Sequence, residues 1–355
     1  LYITVYDGDS MASPVLGRGI LRIYPKDLRR QLATVKIINA DGMKQRLAAL
    51  ARFGRFFAGS LFDIYGGVFA RPHVFDPDSP PRKKRELRVS APEVHFVETA
   101  DGVPIRLTRY QGGAKGPVML VPGLSVSSLI FSIDTIDTNL TEYLFANGYD
   151  VWLLDFRASI ELPSVTSDYT VDDVARYDYP AAVDKIRAVS GAETIQVVGH
   201  CFGAITFHMA MLAGLQGVRS AVSSQVGAHF KVMTTNRIKS GLYLDSILDG
   251  LGVDSLTAYT DKHDDWLDRL YNRVVRLNPT IDREEVCDSS VCHRVTFLYA
   301  LLYEHDQLNT ATHDVLHELF GVSSMSNFEH VGLLARKGEL VSACLLYTND
   351  AADET

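Results

Sequence analysis

Two rhythms of apolar residues alternate between residues 93 and 226. Unbroken apolar runs, in PVMLVPG, YDVWLLDF and TIQVVG, have the pattern of strands buried on both faces. Between them the spacing predicts a helix over Thr135 to Asn147, with Gly148 just past its end. A second predicted helix begins near Thr170, which stands three residues before Asp173 as in a capping box, and ends at Ser190 and Gly191. VHFVET and PIRLTRY flank ADGV, a hairpin signal at Asp101 and Gly102, and RSAVSSQV reads as a later strand. Strands alternating with helices of this length predict an α/β chain: a mostly parallel sheet with helices on both faces.

The flanks follow other patterns. Residues 1–70 begin with strand-like runs (LYITVY, RGILRIY, QLATVKIINA) and close on a helix in which Leu47, Leu50, Phe53, Phe57, Leu61 and Ile64 recur at three and four residues. This is a small α+β segment. Residues 71–92 carry prolines and charges without apolar period and read as a linker whose PRKKRELR run is a solvated stretch. The core unit is then expected over 93–239. Residues 240–343, rich in His, Asp and Leu, read as a helical cap.

Composition narrows the function classes. A net charge of -8 and a basic run with no interleaved aromatics argue against nucleic acid as a partner. No window reaches the apolar length of a transmembrane segment, and four cysteines in 355 residues suit a reducing, cytoplasmic setting.

The chemistry concentrates in VVGHCFGA. A strand (TIQVV) runs into Cys201 between Gly199 and Gly203, and a helical pattern (FGAITFHMAMLAG) follows, the arrangement of a nucleophile elbow. The turn forces its middle residue into strained dihedrals, and small residues two before and two after it let strand and helix approach. A thiol there lies at a helix N-terminus, which favours the reactive thiolate. The Phe202 N–H then points at a developing oxyanion, with a second donor expected from the loop after VMLVPGL, at Leu124 or Ser125.

Other residues carry weaker signals. His200 and His208 flank the turn but are too local to serve as its base. Asp155, at a strand end before the nucleophile, reads as structural. Cys287 and Cys292 in CDSSVCHR raise metal binding with His293, but without a second ligand pair they read as a loop disulfide or unrelated thiols, so no metal is assigned. For the acid and base, one assignment takes RVTFLYALLYEHD as a strand delivering Asp306, with His330 as base. A helix fits residues 293–303 as well as a strand does, and GVSSMSNFEH has no strand-like run before His330.

These motifs carry a resemblance. From VHFVETADGVPIRLTRYQGG through VMLVPGLS, YDVWLLDFRAS, VVGHCFGA and LYEHDQLNTATHDVLHELFG, the chain resembles the α/β-hydrolase domain fused behind sterol-oxidase-like flavoproteins of the glucose-methanol-choline family. GRGILRIYPKDLRRQ and ARFGRFFAGSLFDIYGG look like the closing part of that oxidoreductase. The chain is also similar to polyhydroxyalkanoate synthases, whose lipase-like box places Cys between glycines. These resemblances imply an α/β-hydrolase fold with a cap over a lipid-like or acyl ester substrate, a Cys or Ser nucleophile, and FAD in a longer parent. No flavin fingerprint lies in these residues, so no cofactor is assigned here. CLLYTNDAADET, residues 344–355, closely resembles a translated sequencing adapter (CLLYTSDAADE), differing only at Asn349 over the shared positions. The hydrolase fold is therefore expected to be incomplete at this end, with the triad's acid and base encoded beyond Ala343.

Overall fold

The computed structural model describes residues 82–226, 255–257, 275, 287–299 and 302–337. The strands and helix expected in 1–70, residues 71–81 of the expected linker and the tail at 344–355 lie outside them. The chain divides into two compact units, Leu1–Pro77 with Thr260–Asn309, and Asp78–Tyr259 with Thr310–Thr355.

The larger unit is built on a six-stranded sheet: β1 (Pro92–Glu98), β2 (Pro104–Tyr110), β3 (Pro117–Val121), β4 (Asp150–Asp155), β5 (Ile195–His200) and β6 (Val218–Ser224). Its order is β1-β2-β4-β3-β5-β6. β1, β2 and β4 pair antiparallel, whereas β4, β3, β5 and β6 run parallel. The expected α/β class with a mostly parallel sheet is what forms. The central strands are the unbroken apolar runs, and every residue of β3 and β4 is buried. Met119, Leu120, Trp152, Leu154 and Ile195 are fully enclosed, each such side chain contributing about 1.5–3 kcal/mol relative to exposure.

Capping chemistry sets the helices. α1 (Leu140–Ala146) starts at Asn139, whose side chain accepts the Glu142 N–H while Glu142 reaches back to the Asn139 N–H. Thr170 and Asp173 form the second capping box at the predicted spacing. The helix it opens is not uniform: one turn, Val171–Asp173, passes through a π segment, Val174–Asp178, into α2 (Tyr179–Ser190). Gly191, with φ 72°, closes α2 in the left-handed conformation. α3 (Phe202–Leu212) follows β5 directly.

Residues 82–88 correct the expectation of a solvated linker. Arg82 pairs with Asp134 at 2.5 Å and Glu318 at 2.8 Å, Arg85 with Glu142 at 2.6 Å, and Arg88 donates to Glu142 and Thr138. This stretch is a strap held to the sheet unit by carboxylates. Further along the chain, β7 (Ser255–Thr257) pairs antiparallel with β8 (Val322–Ser324), which runs into α5 (Met325–Lys337).

In the smaller unit the described residues form α4 (Ser290–Tyr299) and a 3-10 turn, His305–Gln307. Residues 293–299, equally compatible with strand by pattern, are thus helical.

Candidate active site

The sharpest local feature of the sheet is the turn between β5 and α3. Cys201 occupies it alone, at φ 53° and ψ -119°. Its N–H donates to the Ser224 carbonyl at 2.9 Å, and its carbonyl accepts the N–H groups of Ala204 and Ile205, each at 3.0 Å. A non-glycine residue at positive φ is strained, and here both flanks hold the strain in place. A Cβ on Gly199 would lie 2.9 Å from the Ala204 Cα, and one on Gly203 would lie 2.3 Å from the Pro122 carbonyl oxygen. Neither obstacle is a side chain that could swing away.

The loop after β3 closes over the sulfur. A Cβ added to Gly123 would meet the Cys201 Sγ at 3.9 Å, so Gly123 borders the thiol, and the buried Leu124 follows it in the chain. Ser125, fully buried, also has positive φ (56°), and its carbonyl accepts the Gly321 N–H at 3.0 Å. Cys201 and Ser125 are thus both strained, Ser125 lying two residues beyond the Gly123 that borders the thiol. The loop expected to supply an oxyanion donor does lie beside Cys201.

Electrostatics departs from the sequence expectation. Burial pushes the Cys201 thiol above the ordinary cysteine value, only partly offset by the Phe202 N–H. The helix N-terminus was expected to favour thiolate. A terminal dipole is worth about 0.3–1 kcal/mol, less than the ~1.4 kcal/mol that a tenfold change in ionisation requires. Desolvation is the larger effect.

Among the described residues no side chain hydrogen-bonds to the Cys201 sulfur. His200 Nδ1 lies 3.2 Å from Ser224 Oγ, and burial holds the ring below the usual histidine pKa. His208 Nε2 lies 3.0 Å from Ser223 Oγ, away from the elbow. Asp155 is structural, as read: its buried carboxylate accepts Arg106 at 2.7 Å, the Ser128 N–H and hydroxyl at 2.8 Å each, and the Ser159 hydroxyl at 2.7 Å. Those bonds fix the loop that carries Leu124 and Ser125. Asp306 sits in the 3-10 turn of the smaller unit and His330 within α5 of the larger.

The second thiol group arranges itself differently from its sequence reading. Neither Cys287 nor Cys292 is in a disulfide, and their sulfurs and a His305 ring nitrogen lie within 4.8 Å of one another. His293 turns elsewhere, its Nε2 lying 2.7 Å from the Cys287 carbonyl oxygen.

A strand-turn-helix elbow on a sheet of this order coincides with a match of residues 118–350 to the alpha/beta hydrolase family. The chain belongs to the alpha/beta hydrolase family. The chain is 28% identical over 162 residues to Lipase lipl-1 of Caenorhabditis elegans, covering 38% of this chain and 39% of that lipase. To the human lysosomal acid lipase/cholesteryl ester hydrolase it is 31% identical over 128 residues, covering 31% and 32% of the two chains. The chain thus spans less than half the length of either curated relative. A solved esterase from Pyrococcus furiosus superposes with a TM-score of 0.34 at 19% identity, covering 49% of this chain and 64% of the other.

Proposed function

We propose that this hydrolase cleaves carboxylic esters of lipid-like alcohols or acids, with Cys201 as nucleophile. The observation that carries the reading is the backbone of Cys201: a non-glycine residue held at φ 53° between a strand and a helix, by contacts that admit no side chain at Gly199 or Gly203. Strain maintained on both sides of a thiol serves its presentation rather than packing. The lipases among its relatives, one of them named a cholesteryl ester hydrolase, support the substrate class.

In this reading the Cys201 thiol gives its proton to a base and the sulfur attacks the ester carbonyl, forming a C–S bond while the carbonyl electrons move to oxygen. The Phe202 and Leu124 N–H groups hold that oxyanion. Its collapse expels the alcohol, which takes up the proton and leaves an acyl-cysteine. Water releases the acid; a second alcohol or amine in its place makes the enzyme an acyltransferase. Because burial raises the Cys201 pKa, the base is essential near neutral pH.

One observation favours a second reading, a non-catalytic hydrolase-like module packed on a flavin-dependent oxidase: no described side chain bonds to the Cys201 sulfur. FAD belongs to that longer protein, and the residues that resemble it, 1–70, lie outside the described ones. Turnover of 4-nitrophenyl acyl esters by the full-length protein and its Cys201→Ala variant, with intact mass measured during turnover, separates the readings. Loss of turnover and a mass increase of one acyl group on the wild type support the enzyme; undiminished turnover by the variant overturns it.

A further inference from the structure

We propose that Cys287, Cys292 and His305 form a tetrahedral zinc-type metal site that staples the two ends of α4, separate from the elbow. Cys287 precedes the helix, Cys292 lies in its first turn, and His305 stands in the 3-10 turn after it. Their ligating atoms lie within 4.8 Å of one another, with the Cys292 Sγ and His305 Nε2 only 3.2 Å apart. Zinc bonds of about 2.3 Å to sulfur and about 2.0–2.1 Å to nitrogen put neighbouring corners of a tetrahedron about 3.6–3.8 Å apart. The 3.2 Å separation falls a few tenths of an ångström short of that value and the 4.8 Å bound on the others lies above it, so small side-chain shifts admit a metal.

The surroundings match what thiolate ligands need. The Tyr303 hydroxyl donates to the Cys292 Sγ at 3.2 Å, and the Ser289 N–H donates to the Cys287 Sγ at 3.4 Å. The Tyr303 ring also packs edge-on against His305, 5.5 Å between centroids, fixing its orientation. Donors to sulfur and a packed imidazole are the outer contacts that orient metal ligands. Two thiols and an imidazole select a soft or borderline divalent ion, zinc foremost, over magnesium or calcium. Binding releases both thiol protons to solvent while His305 ligates as the neutral ring, and a further donor fills the fourth corner.

The histidine lies thirteen residues beyond Cys292, across a helix, which hides it from a search for close-set ligand pairs. A disulfide between the two cysteines is the competing chemistry.

The full-length chain, purified without chelator, is assayed for metal by inductively coupled plasma mass spectrometry. About one zinc per chain is expected, retained in Cys201→Ala and reduced at least tenfold in Cys287→Ser/Cys292→Ser and in His305→Ala. Should those variants fail to fold, cobalt replacement in the wild type decides: sulfur-to-cobalt charge-transfer absorption in the near ultraviolet supports the site. Metal-free protein whose two thiols alkylate readily and which takes up neither zinc nor cobalt overturns it. So does a native mass lower by two hydrogens with Cys287 and Cys292 joined in one peptide.

Discussion

Gly203 faces the Pro122 carbonyl oxygen so closely that a Cβ at that position would stand 2.3 Å from it, with the Val121 carbonyl oxygen at 2.8 Å. This contact presses α3 against the end of β3 and holds Cys201 beside the loop that follows. Gly203→Ala must therefore move backbone on one side or the other. We expect it to destabilise the protein by about 1–3 kcal/mol, with loss of the proposed ester turnover, because the obstacle is main chain and not a flexible side chain. Gly199→Ala meets the Ala204 Cα at 2.9 Å and belongs to the same class. Urea denaturation midpoints of both variants check this; midpoints equal to wild type would mean that the elbow is not tight.

How far the sequence could be read depends on whether each feature is local. PVMLV and the VWLL within DVWLLD identify their strands because burial on both faces leaves no polar position inside them, IQVVG does so with only Gln196 interrupting, and Gly199 and Gly203 identify the elbow because its spacing is set by one turn. Residues 82–88 were illegible for the opposite reason. Asp134 and Glu142, which neutralise Arg82 and Arg85, lie some fifty residues away, and a charge run with distant partners has the composition of a solvated one. The state of Cys201 was misread because the helix N-terminus is visible in sequence whereas the burial that outweighs it comes from a separate loop.

The raised pKa of Cys201 has a kinetic consequence. Only thiolate reacts with iodoacetamide, and below the pKa its fraction grows about tenfold per pH unit. Because burial raises the folded value, the thiolate fraction at neutral pH is smaller than that of an ordinary cysteine. Alkylation of Cys201, followed by peptide mass spectrometry, should be slower than that of glutathione at neutral pH and keep rising beyond the ordinary thiol pKa of about 8.5. A plateau reached on the acid side of neutrality would show that an unseen cation or base has reversed the effect.

Arg157 stands between two carboxylates of unequal burial. Asp178, wholly buried, accepts its N–H at 2.9 Å and its Nε at 2.8 Å, whereas the more exposed Asp101 accepts its two Nη atoms at 2.8 and 2.9 Å. Removing one partner of a buried pair leaves an uncompensated charge, at about 3–5 kcal/mol. Asp178→Ala should lose on that scale. The Asp101→Asn change keeps hydrogen-bonding capacity at a partly solvated position and should cost under about 1 kcal/mol. Thermal or urea unfolding of the two variants tests the ranking, and similar losses for both would place the stabilisation elsewhere than in burial.

Glu142 couples the basic strap to the start of α1, and so to pH. Its buried carboxylate accepts both Nη atoms of Arg85 at 2.6 and 2.9 Å, the Arg88 N–H at 2.9 Å and the Asn139 N–H at 3.1 Å. Arg85 is the leading cause that draws its pKa down from 4.5 to about 2. A carboxyl whose folded pKa is depressed contributes stability that is complete above the unfolded value and is lost as pH falls through the folded one. The contribution of Glu142 should thus be intact at neutral pH and fade between about pH 4.5 and about 2. Glu142→Gln keeps the shape but has no proton to gain. Its urea midpoint should lie below wild type at pH 7, and the gap should narrow progressively across that acid interval as the wild type loses its advantage. Other paired carboxylates, Asp134 among them, titrate in both proteins and cancel in the difference. A gap that stays constant from pH 7 to the acid limit would mean that Glu142 acts through the cap geometry it shares with Asn139, and not through its charge.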